Sequence, residues 1–274
     1  MTLRLNVEMN DNAQRILLFV PMYNCAKQIS RVVAQLDDRV IPWLSEVLVI
    51  DNGSTDGSRE TARDALGRLA GLPWRVARNR ENYNLGGSHK VAFNYAIEHG
   101  FSHVIVLHGD DQADIHDFLP ALQGGLHAEY DALLGARFMR GSTLHGYSLF
   151  RTVGNYGLNF LCGLMVRRWI ADQGSGLNLY RTTYLKSRFY MPFDNGLIFP
   201  NQLFFYGVET SSSFRFIPIS WREEDQRSNA KAVQQALRVL KLVWNRRRRF
   251  AQRDTPFAKI DYAFDVVYKG TTHA

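Results

Sequence analysis

The fold is decided by the stretch His103-Val-Ile-Val-Leu-His-Gly-Asp-Asp-Gln112. Its apolar, mostly β-branched first half is typical of a strand that is buried on both faces of a sheet. The apolar run stops at a glycine and two carboxylates, and in an open α/β sheet ligands gather outside the carboxyl ends of the strands. We therefore expect Asp110 and Asp111 to lie beside a bound ligand. Taken alone, such a turn is more often only the solvated end of a strand.

Three similar strands precede this one, and each is followed by a loop and a helix. The strands are predicted over residues 15–21, 46–51 and 74–77, and the helices over about residues 22–36, 58–69 and 88–99. Ser54 or Thr55 is placed at or near the N-cap of the second helix. Alternating strands and helices with short connections predict an α/β fold with a right-handed, mainly parallel sheet covered by helices on both faces.

The second half of the chain continues with a predicted helix over residues 115–128 and a strand over 132–138. A glycine-rich basic segment then leads to Ser148, which is placed to cap a long helix over 149–170. Later strands are expected at 177–180 and 214–219. A last, amphipathic helix starts at residue 231 and ends in Arg246-Arg-Arg-Arg249; its apolar stripe is Val233, Leu237, Leu240 and Trp244. The chain thus divides into a main domain, 1–229, and a basic amphipathic helix and tail, 230–274.

Composition narrows the class of protein. The chain has 274 residues and a net charge of +7, which suggests nucleic acid, a nucleotide diphosphate or an acidic membrane surface as partner. Nucleic acid is disfavoured because no recognised binding motif accompanies the arginines. Cys25 and Cys162 form neither a disulfide framework nor a zinc pattern. Residues 1–12 do not resemble a signal peptide, and no apolar run approaches the roughly 20 residues that span a bilayer. We expect a cytoplasmic protein, soluble or bound peripherally to a membrane.

Four segments together resemble the family-2 glycosyltransferases, which have the GT-A fold. They are Val20-Pro-Met-Tyr-Asn24, Val49-Ile-Asp-Asn-Gly-Ser-Thr-Asp-Gly-Ser58, Asn82-Tyr-Asn-Leu-Gly-Gly87 and the acidic strand end at Asp110. Within that family the chain is most similar to the branch of dolichyl-phosphate mannosyltransferases and other polyprenyl-phosphate sugar transferases. The segments that carry this closer likeness are Asp110-Asp-Gln112, Gly135-Ala-Arg-Phe138, Asp172 with Ser175-Gly176, and Trp221-Arg222 followed by Ser228-Asn-Ala-Lys231. The resemblance covers about residues 16–231.

The resemblance implies a site for a nucleotide sugar and a divalent ion. Pro21 and Tyr23 would line the pocket of the base, and Asp51 would accept a hydrogen bond from the imide N–H of the base. Asp110 would bind the Mg2+ or Mn2+ that bridges the diphosphate, since these ions suit oxygen ligands. The whole implied donor site consists of Pro21, Tyr23, Asn24, Asp51, Asn52, Ser54, Asn84, Lys90, His108, Gly109, Asp110 and Asp111.

His108 departs from the family pattern, in which an acid stands at this position. A neutral imidazole can still contact ribose or metal, so the metal site is predicted from Asp110 and His108, with a greater tolerance for Mn2+. The alternative is a histidine that only packs at the strand end.

The acceptor side departs as well, because many relatives carry an acidic base where this chain has Pro200-Asn-Gln202. A phosphate acceptor is already an anion at neutral pH and needs no base, which favours a polyprenyl phosphate. Arg137 and Arg222 end predicted strands and are the leading candidates to clamp phosphates; with Asp110 they form the predicted catalytic set. The implied acceptor site consists of Arg137, Ser175, Arg222, Arg227 and Lys231, and the alternative for its cations is ion pairing with Glu223, Glu224 and Asp225.

Three functions stay open on the sequence. The first is an inverting transfer of sugar from a nucleotide to a membrane-linked polyprenyl phosphate. The second is transfer to a sugar hydroxyl of a glycan, with Asp172 or Glu224 as base. The third is a nucleotide-binding protein whose catalysis has lapsed. The last helix also has two interpretations: it packs on the domain, or it lies on an anionic membrane, which its arginines with Trp244 and Phe250 suit.

Overall fold

The computed structural model describes residues 14–223 and 229–270. The strands of this part of the chain are β1 (Ile16–Met22), β2 (Glu46–Asp51), β3 (Trp74–Asn79), β4 (His103–Leu107), β5 (Ala132–Ala136), β6 (Thr143–His145), β7 (Leu177–Arg181), β8 (Phe214–Pro218), β9 (Ser220–Arg222) and β10 (Phe264–Gly270). The α-helices are α1 (Ile29–Ala34), α2 (Ser58–Leu66), α3 (Asn84–Glu98), α4 (Leu119–Gln123), α5 (Leu126–Glu129), α6 (Leu149–Val166), α7 (Thr182–Leu185), α8 (Phe199–Glu209), α9 (Asn229–Trp244) and α10 (Arg246–Ala251).

Eight of these strands form one mixed, mostly parallel sheet in the order β10-β3-β2-β1-β4-β7-β5-β8. Strands β3, β2, β1 and β4 run parallel to one another, as the alternating sequence pattern predicts. Strand β7 is antiparallel to both β4 and β5, and β10 is antiparallel to β3 at the edge. Strands β6 and β9 form a separate parallel pair. The predicted α/β class is confirmed.

Complete burial explains why the central strands could be predicted from the sequence. Every residue of β1, β2, β4 and β5 is buried, because helices cover both faces of the sheet. The core on one face includes side chains from α1 and α2, such as Val32 and Leu66, and the core on the other includes Phe93 of α3 and Phe205 of α8. A continuous apolar run is the signature of such a strand.

Several predicted helix boundaries are wrong. The helix expected over residues 115–128 is divided, because Gly125 has a positive φ of 72° and α5 starts only after it. The helix expected to reach residue 170 ends at Val166, where Arg167 has a left-handed φ of 56°. Neither Ser54 nor Thr55 caps α2, whose N-cap residue is Gly57. Helix α8 and strand β10 were not predicted.

The C-terminal helix packs on the core through a different face from the predicted one. Its buried side chains are Val239, Leu242 and Val243, which belong to the core on the α3 side of the sheet. Of the predicted apolar stripe, Val233, Leu237 and Trp244 are exposed, and only Leu240 packs against this core. Beyond α10 the chain returns to the sheet as β10. The division at residue 229 stays a prediction, but side chains on both sides of it share one core.

Among the residues that the structure describes, no helix has both the length and the apolar character needed to cross a bilayer.

Two buried histidines make the fold sensitive to acid. Burial lowers the pKa of His103 to about 4 and that of His89 to about 3, whereas the unfolded chain binds these protons near pH 6.5. The unfolded state therefore gains protons first, and stability present above pH 6.5 is lost as the pH falls toward 4. We expect the free energy of unfolding in urea to drop by on the order of 2 kcal/mol per histidine between pH 7 and pH 5. His103→Gln should flatten this dependence, and His145→Gln, at an exposed position, should not.

Candidate active site

The carboxyl ends of three adjacent parallel strands meet at one crevice. The backbone N–H of Gly109 donates to the carbonyl of Pro21 at 3.1 Å, and the N–H of Asn52 donates to the carbonyl of Met22 at 2.9 Å. These bonds hold the loops after β1, β2 and β4 side by side. The structure thus brings together three of the sequence segments from which a ligand site was predicted.

The loop after β2 contains a buried carboxylate with an open acceptor. Asp51 is fully buried, and its Oδ1 accepts a hydrogen bond from the backbone N–H of Ser54 at 2.9 Å. Its Oδ2 lies 3.5 Å from Nε of Arg59 but accepts no hydrogen bond from any described residue. Tyr23, at the end of β1, leaves 53% of its surface exposed. A planar base with an imide N–H matches the open oxygen and the exposed ring.

The neighbouring polar side chains fix this pocket. Oδ1 of Asn52 accepts from Nδ2 of Asn79 and from the backbone N–H of Tyr83, both at 2.9 Å. The hydroxyl of Ser54 accepts from the backbone N–H of Asn24 at 2.9 Å. Asn52 and Ser54 therefore shape the pocket walls rather than pointing free atoms into it.

Replacing Asp51 tests the base pocket. We expect Asp51→Asn to weaken binding of a uridine or guanosine diphosphate by about ten- to a hundredfold, because a charged hydrogen bond contributes about 1.5–3 kcal/mol. Cytosine has no imide N–H, so the affinity for a cytidine diphosphate should change far less. Calorimetric titration of both diphosphates measures the difference. An equal loss for both bases, or no loss, would remove Asp51 from the pocket.

Of two further residues assigned to the donor site, Asn84 stays a prediction and Lys90 takes another position. Asn84 is the first residue of α3 and has a positive φ of 58°. Lys90 is fully buried, and its Nζ donates to the carbonyls of Met191 and Phe193, to Asn195 and to the hydroxyl of Tyr262, all within 3.0 Å. Burial lowers the pKa of Lys90 to about 7. The predicted donor contact of Lys90 is wrong for this conformation, because its ammonium lies in a closed cage of oxygens.

At the end of β4, Asp110 and His108 face the crevice half-buried. Burial raises the pKa of Asp110 to about 6, and no described cation lies within ion-pairing distance of it. Burial lowers the pKa of His108 to about 4, so its imidazole is neutral at pH 7. A Cβ at Gly176 would lie 2.8 Å from the His108 ring, which explains why a glycine is needed there. The His108 ring lies 6.0 Å from the ring of the buried His89, so it packs at the strand end. The carboxylate of Asp110 supplies oxygen ligands of the kind that Mg2+ and Mn2+ prefer.

Unlike that of Asp110, the carboxylate of Asp111 points toward residues of α1. It is buried with a positive φ of 59°, and its carboxylate accepts from Nε of Arg31 at 2.6 Å and from Nε2 of Gln35 at 3.1 Å. Nη2 of Arg222 lies 3.4 Å from the same carboxylate. Asp111 thus ties the strand end to α1 and β9, and we correct its assignment from a donor ligand to a support of the Asp110 loop.

Arg137 and Asp172 form a buried, bidentate ion pair. Nε of Arg137 donates to Oδ2 of Asp172 at 2.7 Å, and Nη2 donates to Oδ1 at 3.0 Å. The guanidinium also lies 4.9 Å from the centre of the Trp221 ring. The backbone N–H of Gln173 donates to the same carboxylate at 2.7 Å. Two of the five guanidinium N–H groups of Arg137 are therefore committed to Asp172.

The remaining predicted acceptor residues differ in how far their side chains are exposed to a ligand. Arg222 keeps 38% of its side chain exposed at the crevice. The hydroxyl of Ser175 is buried and donates to the carbonyl of Leu177 at 3.1 Å. Arg227 and the side chain of Lys231 lie outside the described residues. Sequence reasoning missed the supporting residues Arg31 on α1, Gln35 at the C-terminal end of α1 and Arg59, which directly follows the Val49–Ser58 motif on α2.

A mostly parallel sheet that gathers polar side chains at its strand ends has the architecture of the GT-A class of nucleotide-sugar transferases. The model of the family described as glycosyl transferase family 2 matches residues 18–189, and the chain belongs to that family.

Curated relatives include two transferases that are named for lipid-linked acceptors. UDP-N-acetylglucosamine–dolichyl-phosphate N-acetylglucosaminyltransferase of Methanococcus voltae is 23% identical over 181 residues, 62% of this chain and 71% of that one. Dodecaprenyl-phosphate galacturonate synthase of Rhizobium johnstonii is 27% identical over 183 residues, 65% of this chain and 51% of that one.

Solved structures confirm the fold. The complex of Mycobacterium tuberculosis glucosyl-3-phosphoglycerate synthase with Mn2+, UDP and glucosyl-3-phosphoglycerate has a TM-score of 0.62 at 16% identity, covering 95% of this chain and 91% of that one. Its complex with Mn2+, UDP-glucose and phosphoglyceric acid has a TM-score of 0.63 at 16% identity, covering 88% and 81%.

Proposed function

We propose that this family-2 glycosyltransferase transfers a sugar, with inversion, from a nucleotide-sugar donor to a polyprenyl phosphate. The observation that carries the proposal is the state of Asp172, the described acid that an alternative acceptor would need as base. Both of its oxygens are bound by Arg137, and the Gln173 N–H adds a further bond. With both oxygens occupied by Arg137, the carboxylate is not placed to take a proton from a substrate hydroxyl, and a phosphate monoester needs no base.

Two of the curated relatives support the acceptor class. Their names specify dolichyl phosphate and dodecaprenyl phosphate. The solved neighbour is a synthase for a phosphorylated acid, so its fold alone does not select a lipid.

Asp110 and His108 are the residues that would hold a divalent ion. No group of three or more His, Cys, Asp or Glu side chains in the described residues is arranged around a metal. Two protein ligands fit an ion that completes its shell with water and the diphosphate of the donor, as Mg2+ and Mn2+ do in other phosphate sites. The Mn2+ in the solved neighbour supports the same choice. When bound, the ion neutralises the charge of the departing nucleoside diphosphate.

The protein's own groups position the two substrates. The base pocket at Asp51 and Tyr23 would anchor the nucleotide, so that the anomeric carbon points into the crevice. Arg222, which keeps part of its guanidinium exposed, is the cation we assign to the acceptor phosphate. An acceptor oxygen then attacks the face opposite the diphosphate, the C–O bond to the diphosphate breaks, and the anomeric configuration inverts. Arg137 acts by neutralising Asp172 and holding its loop.

A screen of UDP-, GDP- and other nucleotide sugars tests this function. Each donor is incubated with Mg2+ or Mn2+ and a short polyprenyl phosphate, and the product is identified by mass. We expect one donor class to give a glycosyl polyprenyl phosphate. Donor binding without any metal-dependent transfer or hydrolysis would instead favour the lapsed, nucleotide-binding alternative.

A polyprenyl acceptor also requires contact with a membrane, and the exposed C-terminal arginines are suited to it. Arg246 and Arg247 both lie within ion-pairing distance of Glu209, but Arg247 is 87% exposed, and Trp244 is 78% exposed. Each such cation contributes on the order of 1 kcal/mol near an anionic surface. We expect changing Arg247, Arg248 and Arg249 to Gln to lower binding to anionic liposomes by about tenfold or more, and added salt to weaken the unmodified protein similarly.

The matched control for liposome binding removes the same charge elsewhere, through Arg39, Arg63 and Arg80 changed to Gln. Flotation with liposomes measures both variants. Equal binding by the two variants would show that general charge, and not the C-terminal surface, attracts the protein.

A further inference from the structure

An open apolar groove begins beside the Arg137–Asp172 pair. Its volume is about 520 Å3, and its lining includes Phe138 and Ala171, the chain neighbours of the two paired residues. The rings of Phe138 and Tyr156 lie 5.4 Å apart at this end. From there the groove follows the C-terminal half of α6, and Arg167 and Arg168 line it too.

The wall formed by α6 and its C-terminal continuation is unusually exposed for its composition. Only Asn159 and Cys162 of this 18-residue helix are buried. Phe160, Leu164 and Trp169 line the groove and are 66%, 61% and 71% exposed. A contiguous apolar surface of this kind on a folded protein marks a binding site.

We propose that this groove binds the first isoprene units of the acceptor, next to its phosphate; the inference rests on the proposed function. Three observations select this occupant. The groove starts beside Arg137, whose guanidinium lies 4.9 Å from the ring of Trp221, the chain neighbour of Arg222. One molecule can therefore place its phosphate at Arg222 and its chain in the groove. Among the described residues that line the groove, the charged ones are two arginines and none is acidic. The lining therefore does not repel the negative charge of a prenyl phosphate. Because a cavity of about 150 Å3 holds one benzene, 520 Å3 has room for roughly three isoprene units.

Acceptor length is the direct test. Prenyl phosphates with one, two, three and four isoprene units are compared as soluble acceptors without vesicles. Burying about half of a five-carbon unit lowers KM by about tenfold, so we expect KM to fall through the third unit and then level off, with kcat little changed. A KM that is independent of length would overturn the groove.

Variants on the exposed wall localise the effect without threatening the fold. We expect Leu164→Gln and Phe160→Gln to raise KM for the three-unit acceptor about tenfold and leave KM for the one-unit acceptor unchanged. Val153→Gln is the matched control, since Val153 is 63% exposed on the same helix but does not line the groove. Equal effects of all three variants would assign the length dependence to general surface hydrophobicity and overturn the proposal.

Calorimetry with farnesyl phosphate, in the presence of a nucleoside diphosphate, separates this inference from the proposed function. Binding that Leu164→Gln weakens, together with no transfer, would overturn the proposed function and keep the groove. Transfer whose KM changes neither with the length of the prenyl chain nor with Leu164→Gln would overturn only the groove. A change from dimer to monomer in Leu164→Gln by sedimentation, with KM unaltered, would identify a second copy of the chain as the occupant and also overturn it.

Discussion

Asp110→Asn is expected to lower the rate of metal-dependent transfer by about a thousandfold or more while the protein stays folded. The substitution removes the only carboxylate that we assign to the divalent ion, and with it several kcal/mol of stabilisation for the departing diphosphate. Stability should not fall. Burial raises the pKa of Asp110 to about 6, so the ionised carboxylate is unfavourable in the folded state at pH 7, and a neutral amide relieves that penalty.

The comparison needs the rate at saturating metal and the midpoint of urea unfolding. Asp64→Asn, an exposed acid on α2, serves as the control and should change neither. If Asp110→Asn keeps full activity, Asp110 has no part in the mechanism. If it unfolds more easily, the ionised carboxylate stabilises the fold, and the stability expected for this variant is wrong.

Asp172→Asn is expected to destabilise the protein by about 3–5 kcal/mol, because it leaves the Arg137 guanidinium buried without its counter-charge. Apolar side chains of similar volume can replace both members of the ion pair. We therefore expect the double variant Arg137→Met with Asp172→Leu to recover most of the lost stability, as buried ion pairs replaced by apolar residues often do. Urea unfolding of the single and double variants measures both effects.

The same variants address the alternative in which Asp172 deprotonates a sugar hydroxyl. A catalytic base would cost activity in Asp172→Asn without a comparable loss of stability. The rate would then also rise with pH through the pKa of the base. A stable Asp172→Asn protein with abolished transfer would contradict the structural role given to this pair and revive the glycan acceptor.

The sheet was predictable where burial is complete. Strand β2 begins and ends at the predicted residues, and β1 and β4 agree within one or two, because each is an apolar run that ends at a glycine or a polar residue. Strand β10 was missed because it pairs at the sheet edge with β3, almost 200 residues earlier, and its exposed positions weaken the apolar pattern. Such a pairing follows from tertiary packing.

The candidate site was predictable in its location but less so in the direction of its side chains. Asp110 and Asp111 are adjacent in sequence and look equivalent, yet the positive φ of Asp111 directs its carboxylate to Arg31 and Gln35. Lys90 was assigned to the donor site only through the family resemblance, but it belongs to the buried part of α3. Pairings with residues remote in sequence decide these orientations, and no local motif encodes them.

The central claim is that the acceptor is a phosphate monoester, and a competition assay tests it most directly. The protein is given its preferred nucleotide sugar, a divalent ion and equal amounts of a polyprenyl phosphate and a polyprenyl-diphosphate sugar, and the products are separated by mass. We predict glycosylation of the phosphate monoester, with little change in rate across the pH range where that phosphate is ionised. Glycosylation of the sugar hydroxyl, with the polyprenyl phosphate left unmodified, would contradict the claim.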